Sequence, residues 1–231
     1  MSSPINAITP ALFQQQSPET YIAANGTAAK ILVDALPGAA ASGTTPALYG
    51  GGTVIDLTAV STDSSSKDVI LYSGVVASTQ GGATGAVTTT SNTIVRTTGS
   101  FISDGWQAGD LVMTFAPSGT AANASMDGIL GTVTTVSATT LTVNGTPFAA
   151  LTLATGTRIV RVAPHCRMTV AANSGSNGTT VSASLLGNAL DGSAIRTEIK
   201  LGSNNVLAAA MQAAVSALPA YVSIRPVVAL Y

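Results

Sequence analysis

The chain's only histidine and only cysteine are neighbours, His165 and Cys166. A thiol nucleophile needs a base that faces it, and a serine hydrolase needs a histidine that accepts the hydroxyl proton. Adjacent residues on a strand point to opposite faces, so these two side chains cannot form such a pair there. The sequence also lacks a Gly-x-Ser-x-Gly motif. We therefore predict no catalytic residues, with His165 in a structural or solvent-facing role.

Carboxylates offer two further chemistries, glycoside cleavage and cation binding. The only glutamates are Glu19, near the N-terminus, and Glu198, in a charged stretch, and neither has the apolar surroundings of a catalytic acid. Asp104, Asp110 and Asp127 could bind a hard cation such as Ca²⁺. Asp104 and Asp110 flank Gly105 and Gly109, however, where aspartate more often shapes a turn. We favour turns and predict no metal and no cofactor.

Charge is scarce along the whole chain. Only 8% of the 231 residues are Asp, Glu, Lys or Arg, against about 25% in ordinary soluble domains. The formal net charge of −1 hardly opposes association and lacks the basic excess of a nucleic-acid binder. The surface must be neutral and polar, or be covered by other protein. This composition favours an assembly component over a free enzyme.

The few charges are unevenly distributed. Residues 1–127 carry eight acids and three bases, a net charge of −5, whereas residues 128–231 carry two acids and six bases, a net charge of +4. Opposite faces of neighbouring copies could attract each other head to tail. Chance drift in a charge-poor sequence explains the asymmetry equally well.

The expected compartment is a cytoplasm. A single cysteine excludes an intramolecular disulfide framework. The N-terminal residues have neither the basic region nor the apolar run of a signal peptide. The apolar stretch at 206–220 is too short and is interrupted by proline, so we predict no membrane span.

The elements that must position these residues are mostly β-strands. Short runs of β-branched and apolar residues alternate with Gly, Asn and Ser turns. One helix is predicted from Asn204 to Leu218, ended by Pro219, and residues 1–22 are expected to form an extended arm punctuated by prolines. Strands are predicted at 28–33, 53–60, 69–76, 93–96, 111–115, 128–136, 140–143, 158–162, 195–201 and 221–231.

Together these elements predict a mostly β fold. We expect a discontinuous β-sandwich built from residues 23–80 and 164–231, with the C-terminal α-helix covering one side. A small β-barrel at 94–163 is expected as an insertion, because its strands follow each other about every ten residues.

Two segments resemble structural proteins of tailed-bacteriophage virions. Residues 22–72, with Asn25-Gly26-Thr27 and Val69-Ile70-Leu71-Tyr72, resemble the opening strands of capsid cement or decoration proteins. Residues 99–112, Gly-Ser-Phe-Ile-Ser-Asp-Gly-Trp-Gln-Ala-Gly-Asp-Leu-Val, with the strands at 131–137 and 140–143, are similar to a small β-barrel module of phage head and tail proteins. Together these segments cover about half of the chain.

The resemblance implies a virion protein, made in the host cytoplasm, that binds the major capsid protein lattice and its own copies as a trimer or dimer. It implies no catalytic residues. A tail or baseplate component is the first alternative, and a carbohydrate-binding adhesive module that stacks sugars on Trp106 is the second. The residues expected to contact a partner are Ile5, Leu12, Phe13, Tyr21 and Trp106.

Overall fold

The computed structural model describes residues 14–16, 20–23, 28–34, 52–79, 87–115, 126–153, 157–181, 183–184, 199–202, 205–213 and 220–230. Every regular element in these ranges is a β-strand, which confirms the predicted mostly β class. The strands are β1 (Gln14–Gln16), β2 (Thr20–Ala23), β3 (Lys30–Asp34), β4 (Gly52–Ser61), β5 (Lys67–Thr79), β6 (Val87–Thr89), β7 (Thr93–Arg96), β8 (Leu111–Phe115), β9 (Ile129–Val136), β10 (Thr140–Val143), β11 (Leu151–Thr152), β12 (Arg158–Val170), β13 (Ala183–Ser184), β14 (Ile199–Leu201), β15 (Asn205–Met211) and β16 (Tyr221–Leu230).

Ten strands form one antiparallel sheet in the order β11-β6-β7-β10-β9-β8-β12-β5-β15-β3. The longest pairing joins β12 to β5, and the first five residues of β12 also pair with β8. One strand therefore connects the segment 87–153 to the rest of the sheet.

Six strands form the second antiparallel sheet, centred on β16 and β4. The short strands β13 and β14 pair with the outer side of β4. The other side of β16 carries β1, which pairs with residues 227–229, and β2, which pairs with residues 221–224. Both described parts of the predicted arm are thus strands on the same edge.

Three clusters of buried apolar side chains form the core. The first combines strands of both sheets, among them Leu57 and Ile224 from one and Leu71 and Met168 from the other. The second is formed only by residues between 87 and 159. The third lies on the opposite face of the ten-stranded sheet from the first and includes Tyr72.

The ten-stranded sheet curls until its end strand approaches its middle. The N–H of Ala29, just before β3, donates to the carbonyl of Gly128, just before β9, at 2.9 Å. Gly128 in turn donates to the carbonyl of Thr114 in β8 at 2.6 Å. The third core lies inside this curl.

The helix predicted from residue 204 to 218 is wrong over residues 205–211, which form β15; residues 214–219 lie outside the described residues. Leu207, Ala209 and Met211 pack in the first core, while Val206, Ala208 and Ala210 pack in the third. A strand buried on both faces has a continuous apolar sequence, which also satisfies a helical pattern. Burial on two sides therefore explains the misleading periodicity.

The structure also bears on the predicted domain boundary at residue 163 and on the expected position of Pro226. The predicted boundary between residues 163 and 164 falls inside the continuous strand β12. Pro226, expected at an edge or a bulge, lies in an interior strand opposite Leu57, one residue before a register shift in β16. The described pairing of the arm stops at residue 224 and resumes at 227.

Candidate functional site

The loop between β7 and β8, residues 97–110, is described without a gap. Its two aromatic side chains point inward: Phe101 is 0% exposed and Trp106 is 3% exposed. Their rings meet edge to face, with centroids 6.2 Å apart. An aromatic pair of this geometry contributes beyond its buried area, so the loop is anchored at two points.

Arg96 holds one end of this loop. Its guanidinium lies 4.0 Å from the centroid of the Phe101 ring, and Nη1 donates to Oδ2 of Asp104 at 2.7 Å. Gly99, at a φ of +80°, passes close to the guanidinium, since a Cβ there would lie 3.3 Å from Arg96 Cζ. The arginine is therefore enclosed between an aromatic ring, a carboxylate and a glycine.

Arg161 holds the other end from β12. Its guanidinium lies 5.9 Å from the centroid of the Trp106 ring, and Nη1 donates to the carbonyl of Gly105 at 2.6 Å. Asp110 Oδ2 lies 3.8 Å from the same Nη1 and accepts the N–H of Gln107 at 2.9 Å. Asp110 therefore shapes the turn, as the sequence predicted, and also approaches an arginine.

Ile102 is the large apolar side chain that this loop presents to solvent. It is 60% exposed, although the residues before and after the turn are tied by the hydrogen bonds from Asp104 N–H to Ser100 and from Trp106 N–H to Phe101. Around it the loop exposes small or neutral side chains for the most part. A rigid loop loses little conformational entropy on binding, so it can offer an apolar contact to a neutral protein surface.

The three aspartates considered for a cation do not converge. Asp104 pairs with Arg96, Asp110 approaches Arg161, and Asp127 pairs with Lys30. Among the described residues, no group of three His, Cys, Asp or Glu side chains is placed to hold a metal ion. These carboxylates cross-link strands and loops.

His165 is the extra residue of a β-bulge. On β5, Tyr72 and Leu71 are consecutive, but their partners on β12 are Pro164 and Cys166. The imidazole is half-buried, and burial lowers the pKa of His165. Its Nε2 has no hydrogen-bond partner among the described residues.

Burial raises the pKa of the Cys166 thiol to about 11, so this thiol is protonated at neutral pH and is a poor nucleophile.

A groove of about 570 Å³ opens above the third core. It is lined mainly by apolar residues from β5, β8, β9 and β15, among them Tyr72, Met113, Leu130 and Met211. Burial raises the pKa of the Tyr72 phenol, which keeps it protonated.

No helix in the described residues is long and apolar enough to cross a membrane.

The five predicted contact residues have different outcomes. Ile5, Leu12 and Phe13 lie outside the described residues. Tyr21 lies in β2 opposite Ser223. Trp106 is a core anchor, so its ring is not a contact surface in this structure.

Sequence reasoning missed Ile102, the exposed neighbour of that core. The available signal is an apolar residue between Phe101 and the Ser103-Asp104-Gly105 turn. The sequence alone does not distinguish an exposed isoleucine beside a phenylalanine from a second core residue.

Comparisons with protein-family models, curated proteins and solved structures find no match. A function for this chain therefore rests on its own residues and geometry.

Proposed function

We propose that this chain is a non-enzymatic structural protein of a phage virion, a cement protein that binds and stabilises the major capsid protein lattice. The observation that carries the proposal is how the chain uses its few charges. Among the described residues, five of the chain's nine basic and five of its ten acidic residues pair with one another. The pairs are Lys30–Asp127, Lys67–Asp63, Arg96–Asp104, Arg161–Asp110 and Arg167–Asp68.

This pairing leaves a surface with even less free charge than the composition implies. A pair within the chain presents almost no net charge to a neighbour, so close contact between neutral surfaces meets little repulsion and little desolvation cost. A protein that repeats across a lattice gains from such contacts, because many weak ones act together.

The proposed architecture is a β-sandwich with an inserted small β-barrel. Support for the sandwich comes from the first core, which contains side chains of both sheets. Support for the inserted unit comes from the second core, whose members all lie between residues 87 and 159. In this arrangement the loop 97–110 belongs to the insertion and carries Ile102 toward the capsid protein.

The decisive experiment measures binding to empty shells of the major capsid protein from the same virion. Ile102→Asp adds a charge at the proposed contact without disturbing the core. We expect it to weaken binding at least tenfold, which corresponds to the loss of one well-packed apolar contact of about 1.4 kcal/mol.

Val181→Asp is the matched control, because Val181 is 84% exposed and lies on a different loop. It should bind like the unmodified chain. Equal binding by the unmodified chain and both variants would show that the loop 97–110 does not contact the capsid protein. If the unmodified chain did not bind the shells, the proposed cement function would be wrong. Imaging of labelled virions then separates head from tail, since a cement protein marks the head alone.

A further inference from the structure

The edge of β16 is covered by the chain's own N-terminal residues. β1 and β2 both run antiparallel to β16. Residues 14–16 of β1 pair with residues 229–227, and residues 20–23 of β2 pair with residues 224–221. The two registers differ by one residue, so together they act as one interrupted strand. Without this cover, β16 would present an open edge rich in β-branched residues, which is a template for pairing with another chain.

The cover is attached by two short pairings of three and four residues. Pro18 lies between them in sequence, and Pro226 lies in the gap on β16; neither residue has an N–H to donate. Short ladders of this kind open more easily than the long pairing of β5 with β12. The arm can therefore leave its edge while β16 stays paired with β4 and the ten-stranded sheet stays intact.

The chain changes sheets directly after the arm. β2 ends at Ala23 in the six-stranded sheet, and β3 begins at Lys30 in the ten-stranded sheet. The intervening sequence contains Asn25-Gly26, and a short connection between two sheets is the usual site of strand exchange between copies. Such exchange reproduces every bond of the arm in a second molecule.

We infer that the β16 edge is an interaction surface for a second copy of this chain, whose strands β1 and β2 replace those of the first copy. The inference rests on the proposed function in one respect, because a lattice holds copies side by side. Exchange keeps the number of hydrogen bonds constant, so its extent depends on local concentration. A tethered arm has an effective concentration on the order of millimolar, and exchange becomes substantial when neighbours reach that value.

Paired cysteines test this inference in the free protein. Gln16 and Val227 are directly opposite each other, and Val227 is half-buried; opposed residues on antiparallel strands lie within disulfide distance. Gln16→Cys and Val227→Cys are made as two separately tagged proteins, mixed at about 1 mM or about 1 µM and oxidised. The native Cys166 is 3% exposed and will not compete.

We expect a heterodimeric disulfide at the higher concentration and at least about a hundredfold less at the lower one, because the exchanged fraction scales with concentration below the effective concentration of the arm. The matched control is Thr135→Cys mixed with Thr142→Cys, which are opposed within the β9–β10 hairpin and should not exchange. Two double variants, one with Gln16→Cys and Val227→Cys and one with Thr135→Cys and Thr142→Cys in the same chain, should form their disulfides within one chain under dilute conditions.

A Gln16/Val227 mixture that gives no more heterodimer than the hairpin control would overturn the inference. So would a double variant that fails to oxidise, because the arm would then not lie in this register. Neither result depends on capsid shells, so failure here leaves the binding test of Ile102 unaffected.

Discussion

Two arginines anchor one loop in different ways. Arg96 is 5% exposed and contacts Phe101 and Asp104, whereas the side chain of Arg161 is 39% exposed and contacts Trp106 and Gly105. A cation–π contact is stronger where water is excluded, and an exposed ion pair contributes little. The buried arginine should therefore dominate the stability of the loop.

Arg96→Ala should lower the free energy of unfolding by about 2–3 kcal/mol, because it leaves Asp104 without its cation and opens a cavity over Phe101. Arg161→Ala should cost less than about 1 kcal/mol. Urea unfolding at equal m-values measures both changes. Equal losses for the two variants would mean that burial does not set the strength of these contacts.

For single residues, whether a side chain is buried or exposed is the property that the sequence predicts least well. The turn role of Asp110 follows from its flanking glycine, because turn chemistry is local. The burial of Trp106 depends on the second core, whose members extend from Val87 to Ile159 in sequence. No local pattern around Trp106 carries that information.

At the scale of elements, runs of β-branched residues locate most strands correctly. The run at 158–162 is the start of β12, which continues to residue 170. The sequence hides this continuation, because Pro164 and His165 resemble a strand end, whereas the structure accommodates them with a bulge. Likewise, β15 resembles a helix in sequence because strand and helix patterns coincide when both faces of a strand are buried.

Gly128 is the element-scale position where a side chain should be least tolerated. Its φ is +75°, and a Cβ there would lie 1.9 Å from the carbonyl oxygen of Ala29. Gly128→Ala should therefore lower the free energy of unfolding by about 3 kcal/mol or more, since backbone must move on both sides of the curl.

Gly145→Ala provides the control for backbone strain alone. Its φ is +70°, but a Cβ added there would have no neighbouring atom within 4 Å. We expect a loss of about 1 kcal/mol in the same urea measurement. If Gly128→Ala and Gly145→Ala lower the free energy of unfolding equally, the close approach of Gly128 to Ala29 does not stabilise the curl of the sheet.

At the scale of the whole molecule, charge is used for internal cross-links. Of these pairs, Lys67 and Asp63 are the most buried; they lie 3.5 Å apart where the chain passes from β4 in one sheet to β5 in the other. The composition predicts a surface poor in charge, but it cannot show that the charges pair within the chain. That arrangement depends on contacts between residues as distant as Arg167 and Asp68.

Binding to shells should therefore depend little on ionic strength. Raising NaCl from about 0.05 to about 0.5 M should change the affinity less than roughly threefold, because few free charges are screened. A contact built on phosphate or acidic clusters would weaken by orders of magnitude. Titration at both salt concentrations measures the difference, and a steep loss would indicate an electrostatic contact instead.

β12 has a consequence for how the protein unfolds. Its side chains enter all three cores: Ile159 the second, Val160 and Val162 the third, and Cys166 and Met168 the first. A strand shared in this way cannot leave one core while it stays in the others. We therefore expect the three cores to unfold together, in one cooperative transition.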